Sequence, residues 1–530
     1  MGVTRYMLSI DVGTSGPKVA LVGDDGRLAA CAVRPVRTRF LAEGGAEQDP
    51  DEIWRAVLEA SKQVLHDAQV AGTAVLGAVC DSHYFSIVPV DAHGEALMSC
   101  IVWMDRRGAP YSMEIYGREP DALARWIEIH GLPPIPSGVD SLAHMLFVRA
   151  ERPDVYERTY AFVEPMDFVA AKLTGVVAAN ACTAYPLLLT DNRRLDDVHW
   201  DAELIRMAGI DPAKLPPLLP MSGSIGTLRA EVAAELGVSP GTRVFAGVND
   251  TQAVAVGAGT FQPGQGGINV GTTTQVLAHV DGMRSDLASA ILSMPSALPG
   301  RYMALAENGL GGKLLEHFVS NLVFPSDAFA DHSTGDVYAR IEQVLAGEPA
   351  GSGGLLYLPW LTGVQAPITD PHARGAFLNL SLSTTRTRML RAIVEGVSFN
   401  MRWILPAVEA VAGHAFDELR FSGGGAVSDE WSQIMADVMA RPVLQVADAR
   451  FLNARATAFL AFRQAGMADL EQIHRFCPIK RHYTPREATR ALYARLFEQF
   501  VIAYERNRGI FESLNTDPAL AAPAGGDPGA

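Results

Sequence analysis

The chain has 530 residues, 48% hydrophobic and 19% charged, which is too long for one hydrophobic core and too apolar for a disordered chain. Its formal net charge is −15, and its longest basic clusters are pairs such as Arg106-Arg107, so no nucleic-acid partner is expected. Five scattered cysteines (Cys31, Cys80, Cys100, Cys182 and Cys477) include no CxxC pair, which excludes a disulfide frame or a zinc site and predicts buried thiols in a reducing compartment.

No run of 18 apolar residues and no secretory signal pattern occurs, so no membrane partner is expected and the setting reads as cytoplasmic. Residues 6–12 read as a buried strand, Gly13-Thr14-Ser15-Gly16 as a turn, and 18–22 as a returning strand closed by Asp24-Asp25-Gly26. After Pro50, Ile53, Trp54, Val57, Leu58, Val64 and Leu65 recur at helical spacing. Segments 74–80 and 85–90 read as strands again, and the continuing alternation predicts an α/β fold. Segments 132–138 and 215–226 are Pro/Gly-rich and predicted to be surface connections. Segment 347–354 leads into a strand at 355–359, and 516–530 has the composition of a disordered tail.

An internal echo organises the rest. Ile10-Asp11-Val12-Gly13-Thr14-Ser15 recurs as Ile268-Asn269-Val270-Gly271-Thr272-Thr273, each copy between two apolar strands. Two such turns about half a chain apart suggest a duplicated domain with one phosphate-facing hairpin per half. Glycine lets backbone approach a ligand, and exposed turn N–H groups form an anion nest. Thr14, Ser15, Thr272 and Thr273 can add hydroxyl donors, and Lys18 can reach a phosphate. Asp11 can hold Mg²⁺ through water or form a turn-stabilising contact.

Two further segments carry chemistry. Phe421-Ser422-Gly423-Gly424-Gly425-Ala426-Val427-Ser428-Asp429 runs from a strand into a helix predicted over 429–439, placing backbone against a flat or anionic ligand. Its spacing fits neither the dinucleotide fingerprint nor the P-loop. Gly247-Val248-Asn249-Asp250 ends an apolar strand on a carboxylate. That carboxylate can accept a proton from an alcohol attacking phosphorus, or simply cap the next helix.

As a set, DVGTSGPK (11–18), GVNDTQA (247–253), NVGTTTQ (269–275), YLPWLTGVQAPITDPHARGAF (357–377), LRAIVEGVSFNM (390–401) and SGGGAVSDEW (422–431) resemble the FGGY family of carbohydrate kinases, in the family's order. The first hairpin is most similar to the xylulokinase branch. The resemblance implies two duplicated RNase H-like domains of the actin-like ATPase fold with a cleft between them: 1–253 for the sugar, 254–515 for the nucleotide. It implies ATP and Mg²⁺ as cofactors, a small ketose or polyol as substrate, and a possible homodimer. By the same resemblance Asp250 is the catalytic base; Asp11, from its place at the mouth of the hairpin, and Asp250 are the expected metal contacts. The ATP phosphates lie between Gly13, Thr14, Ser15, Lys18 and Gly271, Thr272, Thr273. Gly312, Gly424, Gly425, Ala426 and Asp429 line the adenosine side, and Ser82, His83, Asp105, Arg107 and Thr251 contact the sugar. The chain departs from the branch at Thr251, at Val364-Gln365 and at His317, which bears on the identity of the sugar and not on the phosphate chemistry.

Overall fold

A computed structural model describes residues 4–323 and 337–517. Two seven-stranded sheets carry the fold. The first is built from β1 (Tyr6–Gly13), β2 (Gly16–Gly23), β3 (Leu28–Val33), β4 (Val75–Ser82), β5 (Ser224–Thr227), β6 (Arg243–Phe245) and β7 (Val248–Asn249), in the order β5-β6-β4-β1-β2-β3, with β7 also on β4. The second holds β8 (Gln265–Val270), β9 (Thr273–Val280), β10 (Ile291–Pro295), β11 (Tyr302–Leu310), β12 (Glu418–Ser422), β13 (Val443–Val446) and β14 (Ile479–Tyr483), in the order β10-β11-β9-β8-β12-β13-β14.

The echo in sequence is an echo in topology. β1 pairs antiparallel with β2 and parallel with β4, and β2 runs antiparallel to β3. In the second sheet β8 pairs antiparallel with β9 and parallel with β12, and β9 runs antiparallel to β11. The likeness reaches the far edges: β6 lies parallel to β4 and antiparallel to β5, as β13 lies parallel to β12 and antiparallel to β14. β10 is an added edge strand with no counterpart in the first sheet.

The inner strands are apolar on both faces because helices cover both. Against the first sheet packs α1 (Pro50–Ala68), started by Asp49, whose side chain accepts from Asp51 N, and buried through Ile53, Ala56, Val57, Ala60 and Val64. Joining the halves are α2 (Asp250–Ala258) and, from the second half, α6 (Leu452–Gln464). Val79 of β4, Phe245 of β6, Ala253 and Val256 of α2, and Phe459 and Phe462 of α6 share one buried cluster. The second half's own core is built around α4 (Arg386–Ala412), α5 (Asp429–Met439) and α7 (Glu487–Thr516), with α3 (Gly312–Phe318) beside the second hairpin.

Several expectations are corrected. The strand predicted at 85–90 forms only over Val88–Val90, because Phe85 stands at φ +56°, outside extended space. The connections at 132–138 and 215–226 are not wholly superficial: Leu132 and Leu215 are buried, and β5 occupies the end of the second. Cys31 is exposed on β3, whereas the other four thiols are buried; all five are free. Residue 254 falls within α2, and the second sheet starts at Gln265. Of the expected tail, Thr516 is the last residue of α7, and 518–530 lie outside the described residues.

Candidate active site

The first hairpin closes at Gly13↔Gly16, leaving Thr14 and Ser15 at its tip. Gly16 is fixed by the fold: it stands at φ +121°, and a Cβ there would lie 2.1 Å from Arg34 O. Gly13 is different, since a Cβ would meet nothing nearer than 3.6 Å, so the protein itself does not demand glycine there. The Thr14 hydroxyl accepts from Trp103 Nε1 at 3.0 Å, and Thr14 O accepts from Gln48 Nε2 at 2.7 Å, so the tip is held from two sides. Ser15 is exposed.

The second hairpin closes at Val270↔Thr274, so its tip, Gly271-Thr272-Thr273, is one residue longer. Gly311 N and Gly312 N donate to Thr272 O and Gly271 O at 2.9 and 2.6 Å, which seats the start of α3 against the tip. A Cβ on Gly271 would have 3.4 Å of clearance. The third glycine loop abuts the same place: a Cβ on Gly423, at φ +81°, would lie 2.5 Å from Asn269 Oδ1. Gly424 meets nothing nearer than 3.9 Å, and Gly425 and Ala426 are buried. Asp429, at the start of α5, accepts from Lys480 Nζ and Gln445 Nε2 at 2.5 and 3.0 Å, which ties the loop to β13 and β14. Gly271, Gly312 and Gly424 thus share one neighbourhood.

Asp250 lies where the halves meet. Asn249, not Asp250, caps α2: its side chain accepts from Gln252 N at 2.9 Å. The capping role that competed with catalysis is therefore filled by the neighbour. A hydrogen-bonded chain reaches Asp250 from the second hairpin: Asn269 Nδ2 donates to Gln275 Oε1 (3.0 Å), Gln275 Nε2 to Thr251 Oγ1 (3.2 Å), and Thr251 Oγ1 to Asp250 Oδ1 (3.4 Å). Burial pushes the Asp250 carboxyl up to about 7, and the charge of Asp11 adds to this; Thr251 N–H and, more weakly, Lys18 oppose it. That value suits a base working near neutrality.

Asp11 is buried in β1, and its Oδ2 accepts from Lys18 Nζ at 2.7 Å across the hairpin. Beside it, in parallel register on β4, stands Asp81, which sequence reasoning missed. Asp81 is fully buried; Oδ1 accepts from Thr457 Oγ1 of α6 at 2.9 Å, and Oδ2 has no hydrogen-bond partner among the described residues. Burial first, then the charge of Asp11, raises its carboxyl well above the ordinary range. Glu307 of β11 was also missed. Its carboxyl is raised by burial, is hydrogen-bonded by Thr273 and Gln275, and acts on Asp250 from the second half. The signal for Asp81 was its place directly before Ser82 in an apolar strand paired with the one carrying Asp11; nothing in the sequence marks Glu307.

The sugar-side nominees are closely packed. Ser82 is buried, and its hydroxyl accepts from Met166 N at 3.1 Å and donates to His83 O at 2.7 Å. His83 is 3% exposed; Nδ1 bonds the Ser86 hydroxyl at 2.9 Å, and Nε2 has no hydrogen-bond partner among the described residues. Burial lowers its pKa to about 4, so it is neutral at physiological pH. Asp105 is buried and chelated by Arg107, whose Nη2 lies 2.6 Å from Asp105 Oδ2 and 2.8 Å from Glu47 Oε1. Neither member of that pair is free. Of the departures, Thr251 lies in the chain that reaches Asp250, Gln365 N donates to Asn308 Oδ1 at 3.0 Å, and His317 is exposed on α3.

Comparison with known proteins finds matches over most of the chain. Residues 6–257 match the model for the N-terminal domain of the FGGY family of carbohydrate kinases, and 266–453 the model for its C-terminal domain. The xylulose kinase of Bacillus subtilis is 25% identical over 518 residues, covering 97% of this chain and 99% of that one. The autoinducer-2 kinase of Klebsiella pneumoniae is 25% identical over 527 residues, covering 98% and 97%. The crystal structure of gluconate kinase from Lactobacillus acidophilus superposes with a TM-score of 0.83 at 22% identity, over 96% of this chain and all of that one, which shows the shared fold. Among the described residues no helix is long and apolar enough to cross a membrane.

Proposed function

Because this chain belongs to the FGGY family of carbohydrate kinases, we propose that it transfers the γ-phosphoryl group of ATP to a primary hydroxyl of a small neutral ketose of the xylulose type, with Asp250 as general base. The observation that carries the reading is Asp250, free of the capping role that Asn249 fills, its carboxyl raised to about 7 by burial and by the charges of Asp11 from one half and Glu307 from the other. In this account 1–253 holds the sugar and 254–515 the nucleotide. Asp250 accepts the hydroxyl proton as the alkoxide oxygen attacks the γ-phosphorus in line, and the bond to the ADP oxygen breaks. Turn N–H groups of Gly13 to Ser15 and of Thr272 stabilise the charge on the transferred group, whereas the Gly271 N–H closes the second tip by donating to Thr273 O at 2.9 Å. Closure of the halves around α2 and α6 excludes water.

Kinases of this kind work with Mg²⁺, and the donor set can be tested against that ion. Among the described residues no three His, Cys, Asp or Glu side chains form a metal cage. Asp11 and Asp250 offer two carboxylates, which fits an ion that keeps most of its waters and takes one or two carboxylates. When bound, the ion supplies charge neutralisation on the phosphates. The free thiols agree with a cytoplasmic setting.

Among Ser82, His83, Asp105 and Arg107 the one permanent cation, Arg107, is bound to Asp105 and Glu47, and His83 is neutral. That favours a neutral polyhydroxyl substrate over an aldonate carboxylate. The test is ADP release at fixed Mg-ATP across ketoses, aldoses, polyols and gluconate. Stimulation by D-xylulose or a related ketose is expected. Stimulation by gluconate alone would refute the neutral-sugar reading, and no stimulation by any of them would favour a non-catalytic sugar or nucleotide sensor.

A further inference from the structure

Away from the residues described so far, the two halves form an open pocket of about 400 Å³, lined by Arg27, Leu28 and Cys31 from the first and Asp448, Phe451 and Arg455 from the second. Arg455, on α6, is only 7% exposed. Its Nη2 lies 3.0 Å from Asp448 Oδ2, while Nε and Nη1 are buried with no hydrogen-bond partner among the described residues. A buried guanidinium with two unused donors is costly, and its planar fork matches a tetrahedral or planar oxyanion. Asp448, the acceptor it has, is a poor permanent partner: it stands at φ +47°, and its side chain is 61% exposed.

Other charges at the pocket point the same way. The Arg27 side chain is 89% exposed, with Asp25 Oδ2 3.8 Å from its Nε. Arg450 is close enough to oppose the upward push that burial gives the Cys31 thiol. Three guanidinium groups against Asp25 and Asp448 make a positive locality on a chain of net charge −15.

We propose that this pocket is a phosphate-binding site, separate from the nucleotide cleft, in which the oxyanion replaces Asp448 on the Arg455 fork and is closed over by Arg27. The shared chemistry is a phosphate group, free or on a small monoester. Occupancy ties β3 to α6, two residues from the Thr457 that holds Asp81, and so braces the joint between the halves.

The experiment is isothermal titration of the full chain, its nucleotide cleft filled with a non-hydrolysable ATP analogue and Mg²⁺, with inorganic phosphate and separately with glucose 6-phosphate. One saturable site per chain is expected. Arg27→Ala should weaken it at least about threefold and Arg455→Lys at least about tenfold. Arg27→Ala should keep wild-type turnover in phosphate-free buffer. Tighter binding of the monoester assigns a phosphorylated metabolite, and tighter binding of inorganic phosphate assigns the free ion. Absence of saturable binding, or equal affinity in wild type and Arg27→Ala, overturns the proposal even if Arg455→Lys does not fold.

Discussion

Lys18 Nζ lies 2.7 Å from Asp11 Oδ2, so the half-buried cation at the first hairpin is held by the buried carboxylate two residues before the turn. That charge raises the Lys18 pKa despite burial, which keeps the ammonium ion charged throughout the working range. Its positive charge also tempers the close set of Asp11, Asp81 and Asp250.

Lys18→Met should therefore do more than remove a phosphate contact. With Asp11, Asp81 and Asp250 left uncompensated, kcat/KM for ATP should fall at least about tenfold, the loss of one charge-assisted hydrogen bond. Steady-state rates against ATP at saturating sugar give the comparison. An unchanged value would confine Lys18 to neutralising Asp11.

The hairpin glycines separate folding from binding. Gly16→Ala places a Cβ 2.1 Å from Arg34 O at φ +121° and should destabilise the chain by more than about 1 kcal/mol. Gly13→Ala has clearance of 3.6 Å and should leave thermal stability within about 1 kcal/mol of wild type while weakening ADP binding. Thermal denaturation and ADP titration of both variants check this. Wild-type ADP affinity in Gly13→Ala would mean that no ligand approaches that backbone.

Thr457→Val removes the donor that satisfies Asp81 Oδ1 across the joint. A buried carboxyl that loses its hydrogen bond should cost about 1–3 kcal/mol in urea unfolding. A loss below about 0.5 kcal/mol would show that the contact between α6 and the first sheet is incidental.

Much of this was legible in the sequence, and the exceptions share a cause. The repeated V-G-T motif gave away both hairpins because a tight turn that must expose backbone tolerates few residues, and each copy reached the topology its flanking strands implied. The helix at Asp429–Met439 was readable from Ser428 and the apolar spacing behind it. The pairing of Asp11 with Asp81 depends on parallel register between strands more than sixty residues apart, which no local pattern encodes. Likewise the choice between base and cap at Asp250 turned on the Asn249 side chain, whose partner, Gln252 N, only a folded helix supplies. Asp105 and Arg107 looked like free sugar contacts because their chelation by each other and by Glu47 is a tertiary fact.

The pH dependence of stability follows from Asp250. Its folded pKa, about 7, is raised above the ordinary carboxylate range near 4, so the folded chain holds this proton more tightly than the unfolded one. The stability contributed is fully present below about pH 4 and is lost as pH rises through about 7. Asp250→Asn does not undergo this loss. Without nucleotide or Mg²⁺, its Tm relative to wild type should rise across that window and exceed wild type by at least about 2 °C above pH 8. A Tm difference independent of pH would contradict the assignment.

The most direct measurement is the turnover of Asp250→Asn, as ADP released at saturating Mg-ATP and the sugar that stimulates wild type best, on protein shown to be folded by its thermal transition. The account predicts a fall of about 10² or more, the range of a lost general base. Turnover close to wild type would contradict it.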